Sequence, residues 1–346
     1  MAPGGLAGSL RAAYRDRDVP AVVADIESWI ERSSAGHADS PAYDHTTTVN
    51  DYYDLCNRFM LFGWSESLQF APLAHDETLA QAIARHQRVM IDKLRLQEGM
   101  QVVDVGCGFG ALMRRLAAEA GVSVVGINNN DHQLEQVRVR NREAGLDGKV
   151  DCLKSNIMDM SSIEAASFDR GYAIESTCYA PDRVEAFAEI FRLLRPGALF
   201  WGQEMCLTDD FDPTSTEHQS IKQDLMRYIV LKEIPTFADV NQALESAGFE
   251  VLEATDRNVG EVPWYAPMEG RYGGWHRALV RVPAGRRAVQ EVIRLAEIVR
   301  VFPRGSAKVI GLMNRSAEAY VSGGKAGIFT PLYCFLARKP AYEAAE

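Results

Sequence analysis

From residue 76 onward the apolar positions of the chain switch between two periods. Short apolar runs, "QVVDVG", "SVVGIN", "VDCLKSN", "FDRGYAIEST" and "ALFWGQEMC", read as strands. Between them lie stretches with apolar residues every three or four positions, "ALMRRLAAEA", "DHQLEQVRVRNREAG" and "RVEAFAEIFRLL", which read as helices. Strands alternating with helices at this spacing predict a parallel, doubly wound α/β sheet. An amphipathic helix, "DETLAQAIARHQRVMIDKLRL", is expected to start near Asp76. "LRPGALF" reads as a helix stop followed by a strand start, with Pro196 and Gly197 as punctuation. Helix "TFADVNQALESAG" then leads to strand "FEVLEATDRN". The last strand candidate is "LYCFLARKP", separated from Asn258 by about 70 residues of mostly helical periodicity. That stretch reads as an insertion packed over the carboxyl edge of the sheet, where open α/β folds bind ligands, and so as a lid.

Residues 1–50 read as a polar, helical leader, with helix "VPAVVADIESWIERS" and then a loop, "AGHADSPAYDHTTTVN". The chain next becomes aromatic, "DYYDLCNRFMLFGWSESLQFAP". The expected organisation is a cap over 1–75, a sheet core over 76–258, a helical insertion over 259–330, and a final core strand with its tail over 331–346.

Composition narrows the function. The 346 residues are 47% hydrophobic and 24% charged, with a net charge of −10, as in a globular protein with a sizeable core. The negative balance argues against nonspecific binding to nucleic acid or bulk attraction to an acidic membrane, leaving room for a local apolar contact. No apolar run approaches the roughly 20 residues of a membrane span, and the N-terminus lacks the apolar core of a secretory signal. A cytoplasmic protein, at most peripheral to a membrane, is expected. The six cysteines form no C-x-x-C pair and read as reduced structural thiols; the seven histidines are dispersed and suggest no metal site. Asp209, Asp210 and Asp212 in "TDDFDP" read as an Asp–Pro turn.

Candidate chemistry begins with "VVDVGCGFGAL". Gly106, Gly108 and Gly110 are spaced G-x-G-x-G, whereas a dinucleotide loop has G-x-G-x-x-G facing a pyrophosphate. Asp104, two residues earlier, would repel a phosphate and suits a cationic ligand. The second strand ends in "GINNN", so Asn128 and Asn129 stand where ribose hydroxyls are read, with Gln133 opening the next helix. Asn156 follows the third strand, where an amide meets an adenine edge and Ile157 can pack on the ring. Together the three strand ends point to S-adenosylmethionine (SAM), which carries an ammonium, a carboxylate and a sulfonium and no phosphate. His86 is placed as a residue ordering the leading helix near the methionine end.

The segments "DYYDL", "GWSES", "AIARHQ", "VVDVGCGFG", "GINNND", "YAIESTCYAPDR", "LRPGALF", "EMCLTDDFDP", "EVPWYAP" and "VSGGKAGIFTPLYCFLARKP" resemble the sterol 24-C-methyltransferases, in that family's order, from about Asp51 onward. The resemblance implies a class I SAM-dependent methyltransferase of Rossmann-like fold that methylates an alkene in the side chain of a sterol or triterpenoid. Such a reaction passes through a carbocation and ends in deprotonation. It needs alignment of donor and acceptor, aromatic faces for the cation, a positioned base and exclusion of water. Glu175, which follows the fourth strand's "YAI", is the first candidate for the base; the alternative is a carboxylate bonded to backbone or to a cofactor-side group. Glu204 competes for the role, or else buttresses the site. Tyr53, Phe62, Trp64, Tyr179 and Trp264 are candidates for facing the acceptor, each with core packing as its alternative.

The chain departs from the family's pattern in several places. Met60, Leu61 and Phe62 stand where an aromatic–acid–aromatic run is common, Tyr179 replaces a His, Ser155–Ile157 replaces "GDF", and "MRYIVLKEIP" replaces an acidic segment. Loss of the first acid implies a more apolar acceptor pocket. A shorter prenyl acceptor and a noncatalytic lipid-binding homologue therefore stay open, and a homo-oligomer is compatible with the family.

Overall fold

The computed structural model describes residues 5–34, 45–272 and 281–341. It divides into two compact units, one of Met1–Ser65, Asp210–Ile234 and Val262–Phe329, the other of Glu66–Asp209, Pro235–Glu261 and Thr330–Glu346. Residues 210–234, expected within the sheet core, cluster with the first unit.

The second unit is built on β1 (Gln101–Val105), β2 (Ser123–Asn128), β3 (Val150–Lys154), β4 (Phe168–Ile174), β5 (Leu194–Leu207), β6 (Glu250–Asp256) and β7 (Phe329–Arg338). Their order across the sheet is β3-β2-β1-β4-β5-β7-β6. The pairs β1–β2, β2–β3, β1–β4 and β4–β5 are parallel, and β6–β7 is antiparallel. The doubly wound α/β expectation is borne out, and the hydrophobic pattern explains it: the central strands are buried on both faces and so read as near-continuous apolar runs. Along β1, Val102 enters one core cluster and Val103 and Val105 the other. On Val102's side pack α4 (Leu79–Leu94), α5 (Ala111–Ala120) and α6 (Asp131–Glu143), through Met90, Met113 and Leu134. On the opposite side α7 (Arg183–Leu193) and α9 (Phe237–Ser246) contribute Phe187, Ile190, Val240 and Leu244 around Phe200 and Phe335. The helix expected to start near Asp76 starts at Leu79, because Thr78 and Gln81 form a capping box there.

Two sequence expectations need correction. The strand expected to start after Pro196–Gly197 starts at Leu194. Leu194 pairs with Phe168 before a register shift, and the Gly197 N–H donates to the Lys339 carbonyl at 2.8 Å. Pro and Gly are tolerated because they sit at this irregular strand entrance.

The loop expected to run to Asn50 is the other correction: from His45 the chain is already helical, in α3 (His45–Gly63). Thr48, Val49, Tyr52, Leu55, Cys56 and Phe59 are buried along one face of it. Tertiary packing of that face overrides the poor helix propensity of "HTTT". In the first unit α1 (Gly5–Ala13), α2 (Val19–Ser34) and α11 (Ser306–Lys325) pack against α3, while α8 (Thr216–Ile229) and α10 (Pro283–Ile298) pack on α11. The Tyr14 hydroxyl donates to the Leu55 carbonyl at 2.5 Å, tying α1's end to α3.

Candidate cofactor and active site

At the carboxyl end of β1 the chain must turn sharply into α5. Gly106 takes φ +88°, and a Cβ there would lie 2.2 Å from Ser176 Cβ, so only glycine lets the ends of β1 and β4 come this close. Nothing lies within 4 Å of the position a Cβ would take on Gly108, whose backbone faces open space. The open hollow there is lined by Asp104, Gly106, Gly108, Phe109, Tyr172 and Ile174, with Glu66–Gln69 along one wall.

Asp104 is buried beside this hollow and accepts a hydrogen bond from the Tyr172 hydroxyl at 2.7 Å. Burial pushes its carboxyl up to about 7, against the opposing pull of that bond. A cation brought to Asp104 would favour the ionised form.

The wall segment 66–69 was not singled out by the sequence reading. Gln87 donates from Nε2 to Gln69 Oε1 at 2.8 Å and to Ser67 Oγ at 3.2 Å. Arg115 donates in turn to Gln87 Oε1 at 2.9 Å. Glu66 is held by Arg114 at 3.1 Å and Arg140 at 3.0 Å, and the Arg140 guanidinium lies 5.1 Å from the centre of the Phe109 ring. The signal was present in "GWSES" and "AIARHQ", but side-chain amides packing segment to segment leave no periodic trace.

The remaining cofactor-side candidates are placed unequally. Asn128 is buried; its Nδ2 donates to Gln133 Oε1 at 2.8 Å and its Oδ1 accepts from the Asn130 N–H at 3.0 Å. Asn130 caps α6 by accepting from the Gln133 N–H. Asn128, Gln133 and Asn130 thus form one buried knot, and the half-buried Asn129 sits within the turn they brace. Asn156 is exposed and accepts the Met158 N–H at 3.0 Å, an Asx turn, while Ile157 packs against the sheet core. Gly110, at φ +69°, is the N-cap of α5.

Beyond β4 lies a second cluster. Glu175 takes the left-handed conformation, φ +52°, in a non-glycine residue. Such strain costs on the order of 1–3 kcal/mol and concentrates at functional sites. Its Oε1 accepts from the Phe70 N–H and from Gln203 Nε2, both at 2.7 Å. Burial pushes its carboxyl up to about 8, with a further rise from the neighbouring Glu204. Gln203 also lies with its Oε1 2.9 Å from His86 Nε2. Because Gln203 Oε1 can only accept, His86 carries its proton on Nε2. Burial lowers the imidazole to about 4, so it is neutral, and its Nδ1 is buried with no hydrogen-bond partner among the described residues. The structure therefore joins His86, expected near the cofactor, to Glu175, expected as the base, through Gln203, which the sequence reading missed. "WGQEMC" reads as an apolar strand, and a fully buried amide inside it gives no periodic signal.

Glu204 is fully buried and accepts from the Thr177 hydroxyl, while its Oε2 lacks a partner. Burial raises its carboxyl, offset in part by Arg183. Tyr179 is half-buried at the end of the short 3₁₀ turn Thr177–Tyr179.

The aromatic candidates of the first unit differ in setting. Trp264 is buried among Tyr265, Tyr320 and Phe329, with ring centres 5.5–6.1 Å apart. Tyr53 meets Tyr52 edge-on at 5.7 Å, Trp64 is half-buried, and Phe62 is 61% exposed. In the Asp-rich stretch, Asp212 accepts from the Thr214 N–H and hydroxyl, and the Asp212 N–H donates to His218 Nδ1, the bonding of a turn.

Comparison with known proteins places this geometry. The family described as mycolic acid cyclopropane synthetase matches residues 42–259, and the one described as sterol methyltransferase C-terminal matches residues 279–341. The cycloartenol-C-24-methyltransferase of Arabidopsis thaliana is 37% identical over 97% of this chain and 99% of its own length. The chain belongs to the sterol 24-C-methyltransferase family. The sterol 24-C-methyltransferase of Saccharomyces cerevisiae is 31% identical over 91% of this chain and 84% of its own. Among solved structures, the mycolic acid cyclopropane synthase CmaA1, complexed with SAH and CTAB, superposes with a TM-score of 0.67 at 19% identity, covering 86% of this chain and 99% of that one. Geranyl diphosphate C-methyltransferase from Streptomyces coelicolor A3(2) gives 0.61 at 16% identity, covering 87% and 100%. At such identities these structures speak to the fold, that of the class I SAM methyltransferases. With the family, they make this chain a SAM-dependent methyltransferase.

Proposed function

We propose that this chain transfers the methyl group of SAM to an alkene in the side chain of a sterol or triterpenoid, with Glu175 as the base that ends the reaction. The full-length likeness to enzymes named for C-24 methylation supports the acceptor. The single observation that carries the chemistry is Glu175, a buried carboxylate in strained backbone at the carboxyl edge of β4, held by two donors and pushed up to about 8.

The cofactor fits the residues present. Asp104 is a buried acid with no ion-pair partner among the described residues, and Gly106 and Gly108 leave room for backbone to pass close to a ligand. Asp104 would hold the ammonium, the 106–110 turn the methionine moiety, and Asn128, Asn129 and Gln133 the ribose. Asn156 and Ile157 would take the adenine side. When bound, SAM supplies an electrophilic methyl on a sulfonium.

Attack by the acceptor's π bond leaves positive charge on carbon, and this chain's task is then to bear that charge and remove one proton. Positive charge near Glu175 favours its carboxylate, which then accepts the proton. Gln203 and the Phe70 N–H fix one carboxylate oxygen, and neutral His86 holds Gln203. Glu204, bound to Thr177, supports the turn that carries Tyr179, which we assign to the cation with its ring face. Tyr53, Phe62, Trp64 and Trp264 are assigned to acceptor recognition on the resemblance; Trp264, being buried, acts by shaping the aromatic cluster around it.

Incubation with SAM and, separately, a Δ24-sterol, squalene and a prenyl diphosphate tests the reading by mass spectrometry. A methylene-sized gain on the sterol or triterpene supports it. A gain on the prenyl diphosphate alone overturns the acceptor, and tie the switch to Met60–Phe62. SAM binding without turnover of any acceptor would favour a noncatalytic lipid-binding homologue.

A further inference from the structure

We propose that the C-terminal half of α10 and the turn after it dock the protein on an anionic lipid bilayer. Among the described residues, no helix is long and apolar enough to cross a membrane. Yet of the ten large hydrophobic residues exposed to solvent among the described residues, five fall within one short stretch. They are Val292 (64%), Leu295 (57%), Ile298 (69%), Val299 (69%) and Val301 (45%); the others, Phe62, Leu153, Val184, Leu252 and Val259, are scattered along the chain. Single exposed apolar residues need no explanation, but a contiguous cluster marks an interaction surface.

The cluster is presented by ordered backbone. Val292 and Leu295 lie at helical spacing on one side of α10 and the C-cap Val299 continues their row, while Ile293 is buried. The helix stops where Arg300 turns left-handed, φ +58°, and the Val301 and Phe302 N–H groups bond back to the Ala296 carbonyl. This closed turn sets Val299 and Val301 on either side of Arg300.

The charge around the cluster opposes that of the protein. The chain carries −10 overall, but the stretch 283–304 has five arginines against two glutamates, and of the five only Arg286 turns inward, to Glu318 at 3.6 Å. Both glutamates are engaged: Glu291 pairs with Arg294 at 2.7 Å, and Glu297 accepts the N–H groups of Gly305 and Ala307. Arg11, Arg294, Arg300 and Arg304 line one open hollow together with Glu297, Ile298 and Phe302. An apolar ridge rimmed by arginine is the arrangement of an interfacial helix, whose side chains enter the acyl boundary while the guanidinium groups meet lipid phosphates. Charge thus favours an anionic bilayer over a two-fold dimer through this face, which would set the same arginines against one another. The binding stands without the proposed acceptor; its use, collecting a water-insoluble sterol, rests on that reading.

The test is flotation of the full-length protein with vesicles of phosphatidylcholine alone or of equimolar phosphatidylcholine and phosphatidylserine. Binding is expected to the second kind and to fall with salt. Arg300→Gln with Arg304→Gln removes two surface charges, each worth about fivefold in binding, for a loss of roughly 25-fold. Ile298→Ser with Val299→Ser weakens binding by at least tenfold and, being at exposed positions, leaves the unfolding temperature and SAM affinity unchanged. Methylation of sterol in vesicles falls in both variants, while methylation of detergent-dispersed sterol does not. Equal vesicle binding by wild type and both variants overturns the proposal. So does a concentration-dependent dimer, seen by sedimentation, that the serine variant abolishes while vesicle binding persists. Failure of methylation in every medium with vesicle binding intact would strike the activity and leave the docking face standing.

Discussion

Replacing Glu175 by Gln separates the residue's electrostatic cost from its use. The amide keeps the size of the side chain, and its oxygen can still accept from the Phe70 N–H and Gln203 Nε2. What disappears is a carboxyl raised from 4.5 to about 8 by burial. The sign follows from linkage. Below pH 4.5 both folded and unfolded chains hold the proton, and the residue contributes no pH dependence. Between 4.5 and about 8 the unfolded chain releases it while the folded chain retains it, so wild-type stability falls as pH rises. Above about 8 both forms are ionised and the slope vanishes. At 1.36 kcal/mol per pH unit, the interval corresponds to a ceiling of roughly 5 kcal/mol, less whatever water entry and local relaxation recover. Urea unfolding of both proteins from pH 5 to 9 therefore gives curves that nearly coincide at the acid end and diverge in the variant's favour up to about pH 8. The same substitution removes the base, and methyl transfer drops by about 10²-fold or more. Wild-type kcat/KM should rise through about pH 8 as the free enzyme's carboxyl ionises. Parallel unfolding curves would refute the buried, protonated carboxyl. Full activity in the variant would refute its role as base.

Three further substitutions bear on the site. Asp104→Asn keeps an acceptor for the Tyr172 hydroxyl but loses the charge, and SAM affinity measured by calorimetry should fall by about 10- to 100-fold, the worth of a charge-assisted hydrogen bond. Gly106→Ala drives a Cβ to 2.2 Å from Ser176 Cβ at positive φ, a loss of roughly 2–4 kcal/mol in thermal or urea unfolding that Ser176→Gly should partly restore. Gln203→Leu leaves the His86 Nε2–H donor and one acceptor site on Glu175 Oε1 unmatched in the core. Unfolding should show a loss of about 2–4 kcal/mol, with turnover falling further than SAM affinity; equal losses in both would contradict its positioning of Glu175.

The sheet was legible because its strands are apolar on both faces and its helices are amphipathic, so the period changes cleanly from "VVDVG" to "ALMRRLAAEA". The glycine turn was legible too, since Gly106 and Gly108 are backbone requirements written directly as residue types. Order across the sheet was not: nothing in "LYCFLARKP" announces that it inserts between β5 and β6 and runs antiparallel to β6. The start of α3 was hidden because "HTTT" lacks propensity and gains its helix from burial of Val49, Tyr52 and Leu55. Gln203, Glu66, Gln87 and Arg140 stayed invisible for another reason. Their meaning lies in partners far away in sequence, and a polar side chain on an apolar strand or an exposed helix looks alike whether or not it has one.

The most direct test of the central claim is the fate of the methyl carbon. Purified protein would be incubated with a Δ24-sterol and SAM carrying a ¹³C-labelled methyl, and the product examined by carbon NMR. The account predicts a single labelled carbon bonded to carbon in the sterol side chain, with the product unsaturated after loss of one proton. Label found as a methoxy carbon, or absent from the sterol while SAM is bound, would contradict it.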